Sequence, residues 1–423
     1  MPLPIQVESR EVAPHLRRAR FGQKSVVLLA FSWGVAAFTP VGVMYLHLLL
    51  MLLALAASGD IAHRVRCLRA SGYLPPILAM LLWTAAATLT GDWYPDTATR
   101  LFHVFRVALV LVLGLMLTPR EARFALAGFV GGALLAALVV AVHHVWGLPP
   151  WTIWASLLSS RNNFSSGNMI TMAVASGVCL VVALGKSTDS VGRVLALTAT
   201  MLLTVTVALH AVSRNAQLLL AILPLCAVLC RFRSLRASLA GAAAVLALLA
   251  AVWQLSPTVH DRFEELAANL QLAQADADYG TSGGVRLRMY EEALQGMAEH
   301  PLIGTGLGSW LPHWISVWQT IDGQASDASR QQFANINNPH NDFLLNGMET
   351  GVAGMLILVW LLARFVATGW RKRTVAGDIS VVMAVGLFVT AMVNAPFRDA
   401  ALGMSLLWLL AVSAAVREES IDA

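Results

Sequence analysis

Residues 124–146 read FALAGFVGGALLAALVVAVHHVW, a run with no aspartate, glutamate, lysine or arginine. As a helix rising 1.5 Å per residue, a run of that length crosses a hydrocarbon core of ~30 Å. Working outward from it, apolar runs recur at about 25–40, 41–57, 75–91 and 101–118 on one side. On the other they recur at about 166–184, 193–212, 216–231, 237–255, 342–363, 379–396 and 402–416. Backbone groups in lipid must satisfy one another, and a helix does so within itself. The runs therefore predict an all-α polytopic membrane protein of about twelve transmembrane helices with a large helical loop. Composition agrees. Of 423 residues, 57% are hydrophobic and 13% charged, with a mean hydropathy of +0.67, whereas soluble domains carry about 25% charged residues.

Lysine and arginine in the connections set the orientation. All three lysines, Lys24, Lys186 and Lys372, fall on one side, with Arg64, Arg66, Arg69, Arg120, Arg123, Arg231, Arg233, Arg236, Arg364 and Arg371. Both termini are expected in the cytoplasm of a bacterial inner-membrane protein. The net charge of +5 reflects this bias, so no nucleic-acid partner is expected; membrane lipids are. Residues 1–24 are polar and basic, without a cleavage site after the first apolar run. A surface-lying helix around Leu16–Phe21 is compatible with them. Cys67, Cys179, Cys226 and Cys230 lie in spans or on the cytoplasmic side, which implies no disulfide framework. Cys226 and Cys230, four apart, read as packing residues, because two thiols lack a third metal ligand.

Three regions follow: helices one to nine over 1–255, an outer loop over 256–341, and helices ten to twelve over 342–423. A loop that long in a compact bundle is usually functional. Val259, Phe263, Leu266 and Leu270 repeat at helical spacing, as do Leu287, Tyr290, Leu294 and Met297 within 286–299. Gly304-Thr305-Gly306-Leu307-Gly308 looks like a phosphate loop but lacks a βαβ context, and is read as a tight turn. Trp310, Trp314 and Trp318 form a stripe that suits an interfacial belt better than a sugar-stacking surface.

Charged groups at the lipid boundary are costly and mark function. Arg214, in the connection Ser213-Arg214-Asn215, opposes the charge bias. It serves either as an interfacial residue on headgroups or as a phosphate clamp, since guanidinium keeps its charge and grips oxyanions through paired bonds. Arg286 and Arg288 open the second loop helix, whose N-terminus also favours anions. They point to different faces, so one is expected in a site and the other in solvent or paired with Glu291 or Glu292. His340, in Asn337-Asn338-Pro339-His340-Asn341-Asp342, is either an incidental member of a capping turn or a general base. A free imidazole titrates near 6.5, which suits proton abstraction at neutral pH. Asp342 or a carbonyl is placed to orient the ring, with Asn341 and Glu349 as further supporting groups. Arg100, His103 and Arg106 share one face of the fourth span and could line one polar cavity, joined by Arg161 and Arg398. No histidine cluster suggests a metal, and no cofactor is implied.

Several of these pieces resemble, in order, the O-antigen ligase/polymerase superfamily. They are Ser213-Arg214, then Arg286-x-x-x-Tyr290-x-x-Ala293-Leu294, then Pro301-Leu302-Ile303-Gly304-x-Gly306-x-Gly308. His340-Asn341-x-x-Leu344 and Glu349-x-Gly351-x-x-Gly354 complete the set. Tyr290 stands where the family often has tryptophan. The resemblance implies a membrane-embedded, metal-independent, inverting glycosyltransferase. It would move a glycan from an undecaprenyl-diphosphate-linked donor to a sugar hydroxyl of a lipid A-core acceptor on the periplasmic face. It implies His340 as base and Arg214 with Arg286 or Arg288 on the diphosphate. O-antigen polymerase and protein O-oligosaccharyltransferase are the neighbouring readings. A transporter of lipid-linked sugars is a reading of another class, but polar groups gathered at one face, without symmetry between halves, do not suit it.

Overall fold

The computed structural model describes residues 14–147, 165–211, 213–232, 234–255, 264, 282–321 and 335–416. Those residues form fifteen helices and no strand. In chain order they are α1 (Pro14–Ala36), α2 (Val41–Ala57), α3 (Ile61–Ala70), α4 (Leu74–Thr90), α5 (Thr97–Leu115), α6 (Pro119–Trp146), α7 (Ser166–Leu184) and α8 (Ser190–His210). Then come α9 (Arg214–Arg231), α10 (Leu235–Leu255), α11 (Ser282–Glu299), α12 (Trp310–Ile321), α13 (Asp342–Lys372), α14 (Val375–Val393) and α15 (Ala400–Ala415). All twelve apolar runs are helical, and the chain is a polytopic membrane protein.

Seven helices, α5 to α9 with α13 and α14, are long and apolar enough to cross a membrane on their own. The pair α2 and α3, bent by 108°, makes an eighth if the two together form one span. Of the other runs, those in α4 and α15 are shorter, and α1 begins with basic residues. The stretch around Leu16–Phe21 is not a separate helix; it is the first turns of α1. Helix α3 falls in what the sequence leaves as a plain connection. Its Arg64 is buried and reaches both carboxylate oxygens of Glu121 at 2.6 and 2.8 Å. Glu121 in turn closes a capping box with Thr118 at the start of α6. A buried carboxylate held by two parallel bonds fixes where α3 and α6 meet.

Close helix contact depends on small residues, because lipid offers little hydrophobic drive for association. Gly34 of α1 lies against Gly128 and Gly132 of α6, where an added Cβ would come within 2.1 Å of backbone. Trp33 stacks on Trp408 of α15 at 4.3 Å. This core continues through α7, α14 and α15.

The outer loop docks on α13 through a second core: Val285, Met289 and Ala293 of α11, Trp310, Trp314 and Trp318 of α12, and Leu345 and Met348 of α13. The tryptophan stripe is therefore neither an interfacial belt nor a sugar platform. Trp310 and Trp314 are fully buried, stacked on each other at 5.8 Å. Periodicity showed that α12 has an apolar face, but the face turns inward to α11 and α13. The other expected loop helix, Val259–Leu270, lies outside the described residues except for Glu264.

The glycine run is the tight turn expected of it, with Gly304, Gly306 and Gly308 all at positive φ. Its partner was not foreseen. Helix α13 breaks at Gly351, which adopts φ 74 and ψ 175. The break frees backbone groups of α13, and the turn and a neighbouring helix satisfy them. Thr305 N donates to Met348 O at 2.7 Å, and Val352 N donates to Pro301 O at 2.9 Å. Trp83 Nε1 donates to Thr350 O at 2.8 Å. A kinked helix is tolerated in lipid when its freed groups are re-paired in this way. The turn thus locks the outer loop to the part of α13 that carries Asp342 and Glu349.

Candidate active site

The segment Asn337–Asn341 is built to hold one residue in an uncommon conformation. His340 has φ 53, in the left-handed region. A non-glycine residue there costs energy and persists where neighbours over-determine it. On one side, Asn338 Oδ1 accepts the His340 N–H at 2.9 Å. On the other, Asn341 caps α13, its Oδ1 accepting from Phe343 N and Leu344 N, each at 3.0 Å. The asparagines before and after His340 thus fix its backbone as the loop enters α13.

Three of the expected site residues are linked by charge. Arg286 of α11 acts on His340, and Arg214, the first residue of α9, acts on Arg286. Burial lowers the pKa of Arg286, and the facing Arg214 adds to this, while Tyr290 opposes it. Burial first and Arg286 second hold the His340 imidazole down at about 4, against a side-chain hydrogen bond with Asn394 that raises it. The ring is therefore neutral at ordinary pH, with the Arg286 guanidinium acting on it and Arg214 acting in turn on Arg286. Such a group attracts an oxyanion and offers a lone pair for a proton.

Arg288 lies elsewhere. It pairs with Glu292 at 2.6 Å and with Glu291 at 3.4 Å. Glu292 also meets His313 Nε2 of α12 at 2.8 Å. Arg288 so ties α11 to α12, and among the two arginines Arg286 alone faces His340. Tyr290, one turn beyond Arg286, donates its hydroxyl to Met392 O at the end of α14, at 3.3 Å.

Asp342 does not orient His340. Its Oδ2 accepts the Phe397 N–H at 2.8 Å, inside the connection between α14 and α15. Glu349 is equally committed, accepting from Arg100 Nη2 at 2.8 Å and Nε at 3.1 Å. Arg398 reaches Asp96 Oδ2 at 2.7 Å, with Arg100 at 3.8 Å from the same oxygen. Arg100, His103, Arg398, Asp342 and Glu349 line one small cavity of about 50 Å³. Arg106 does not join them as its helical spacing suggested. It bonds the carbonyls of Phe397 at 3.1 Å and Arg398 at 2.8 Å, closing the α14–α15 connection from beneath. Arg161 lies outside the described residues.

The sequence reading missed Asp96 and Asn394. Asp96 precedes Thr97 at the start of α5, a helix-start signal whose acidic group could have been set against Arg100 one turn on. Nothing in the sequence links Asn394 to His340, which stands far earlier in the chain.

No curated protein matches the chain. Residues 199–359 match the family model described as O-Antigen ligase. That segment begins in α8 and contains Arg214, Arg286, the glycine turn, His340 and the break at Gly351, and over it the chain is similar to that family.

Proposed function

We propose that this protein is an O-antigen ligase of the inner membrane. In this reading it moves a glycan from undecaprenyl diphosphate to a sugar hydroxyl of lipid A-core on the periplasmic face. The observation that carries it is the grouping of Arg214 and Arg286 with a neutral His340 inside the family-matched segment. The donor diphosphate is anionic and leaves with its charge. Fixed guanidiniums stabilise that departing charge without reorganising.

The acceptor oxygen attacks the anomeric carbon as the bond from that carbon to the diphosphate oxygen breaks. The bonding pair leaves with the diphosphate, and the hydroxyl proton passes to the free ring nitrogen of His340. One displacement inverts the anomeric centre. The buried ion pairs Arg100–Glu349 and Arg398–Asp96 hold the α5, α13 and α14–α15 ends around the site and touch neither partner.

Purified protein, an undecaprenyl-diphosphate-linked glycan and lipid A-core should together give glycan-bearing lipid A-core. No transfer to lipid A-core, with elongation when a second lipid-linked unit is the acceptor, would make the protein a polymerase instead.

A further inference from the structure

Two amides stand in the first turn of α9, and they differ. Gln217 closes the connection from α8: its Nε2 donates to Ala211 O at 3.1 Å, and its backbone N–H donates to Ser213 O at 3.2 Å. Asn215 is 7% exposed. Its Nδ2 and Oδ1 are both buried, and neither meets a hydrogen-bonding group among the described residues. A buried amide with no partner at either end costs stability and calls for a reason. The helix end beside it is open as well. Ser213 stands at the N-cap, but its hydroxyl caps none of the first backbone N–H groups.

Helix packing puts this end level with the site. At the far end of the bundle, Arg231 Nε of α9 donates to Leu184 O of α7, and Val375 of α14 lies against Gly185. The end of α9 thus meets the start of α14, so the two helices run antiparallel. Leu223 of α9 lies where an added Cβ on Gly386 of α14 would come within 3.3 Å of it. Counted equally outward from that contact, α9 reaches its first residues, Arg214 and Asn215, where α14 ends. There Tyr290 of α11 donates to Met392 O, and Arg286 stands one turn before Tyr290.

We propose that Asn215 binds the donor where its diphosphate meets its first sugar, Nδ2 donating to a phosphate oxygen beside Arg214 and Oδ1 accepting an N–H or O–H of that sugar. This rests on the reading that the donor is a diphosphate-linked glycan. A phosphate oxygen only accepts, whereas a sugar also donates. An amide offers both functions and suits the boundary between them. The uncapped start of α9 favours the anion on the Nδ2 side. The donor supplies the partners that the amide lacks in the free protein.

Asn215→Leu separates this role from a structural one. An apolar side chain of similar size removes an unpaired buried amide, so the free variant should melt no lower than the parent. It should bind undecaprenyl diphosphate roughly ten- to hundredfold more weakly, the worth of one hydrogen bond to a charged oxygen. Asn215→Ala should show the same loss of binding where leucine does not fit. If undecaprenyl diphosphate binds the parent and both folded variants equally, Asn215 alone is misassigned. If it does not bind the parent, the diphosphate reading falls and this inference with it.

Discussion

At the scale of the residue, His340 departs from the free imidazole on which its sequence reading rested. A base near 6.5 would lose activity just below neutral pH. Burial and Arg286 hold this ring at about 4, so the neutral, proton-accepting form persists well below pH 6. The sign follows directly: protonation removes the lone pair, so activity is present above the pKa and lost as pH falls through it. For the free enzyme, reported by kcat/KM, the acid limb should lie near 4. A bound diphosphate offsets Arg286 and favours the imidazolium, so the limb in kcat should lie higher. Coincident limbs in the two profiles would show that no anion binds beside His340. His340→Ala should lose roughly 10²–10⁴-fold in turnover with donor binding retained. The arginines divide in the same assay. Arg286→Ala and Arg214→Ala should cripple transfer, with Arg214→Lys recovering only part because lysine lacks the planar fork. Arg288→Ala should act through its salt bridges to Glu291 and Glu292 and lower stability more than turnover. If Arg288→Ala abolishes transfer in a fully folded protein, the diphosphate clamp has been placed on the wrong arginine. The split itself was legible, because residues two apart on a helix face differently and acids stand three and four positions beyond Arg288. Which arginine faced the site was not, since that depends on where α11 docks.

At the scale of the element, helix existence was readable and helix partnership was not. Apolar runs long enough for lipid specify helices with little ambiguity, although only seven of those helices, or eight with the bent pair, are long and apolar enough to cross a membrane. The glycine turn and the tryptophan stripe show what sequence withholds. Each reports a local property, a left-handed turn or an apolar face, without naming the surface it meets. Those surfaces lie on α13, tens of residues away. The contact makes a demand on Gly351. Its φ of 74 disfavours any side chain, and an added Cβ would lie 2.1 Å from Leu302 O. Gly351→Ala should therefore cost at least the 1–3 kcal/mol of a strained backbone position. It should lower the melting temperature in detergent and reduce transfer by loosening the loop over His340. A melting temperature equal to or above the parent's would mean that α13 straightens freely and that the break holds nothing. The buried pair Arg100–Glu349 makes a parallel demand. Glu349→Gln strands a buried guanidinium, and removing one member of such a pair costs about 3–5 kcal/mol. Glu349→Gln should therefore fail by instability and show reduced yield of folded protein. A stable, folded Glu349→Gln protein without transfer would give Glu349 a chemical role that its bond to Arg100 does not suggest.

At the scale of the whole molecule, the polar groups divide between the two ends of the bundle. Arg64 and Glu121 lock one end, and the site with its ion pairs occupies the other. Among the described residues no group of three or more metal-ligating side chains is found. The guanidiniums can offset diphosphate charge themselves, so transfer should survive EDTA. Activity lost to chelation and restored by Mg²⁺ would point to acidic residues beyond that set, such as Asp276 or Asp278. The most consequential prediction is which end faces which compartment. The lysines and most arginines stand with Arg64, and the site end has fewer arginines and no lysine, so the charge rule puts His340 outside. Reporter fusions should read cytoplasmic at 58–74, 231–236 and 364–378, and external within 256–341. In the ligase reading the glycan-bearing diphosphate lipid is met on the outer face, so orientation decides whether site and donor can meet. A fusion near Gln324 that reads cytoplasmic would separate His340 from that donor. The arginine cluster would then need an anion from the cell interior, and the ligase reading would fail whatever the point variants showed.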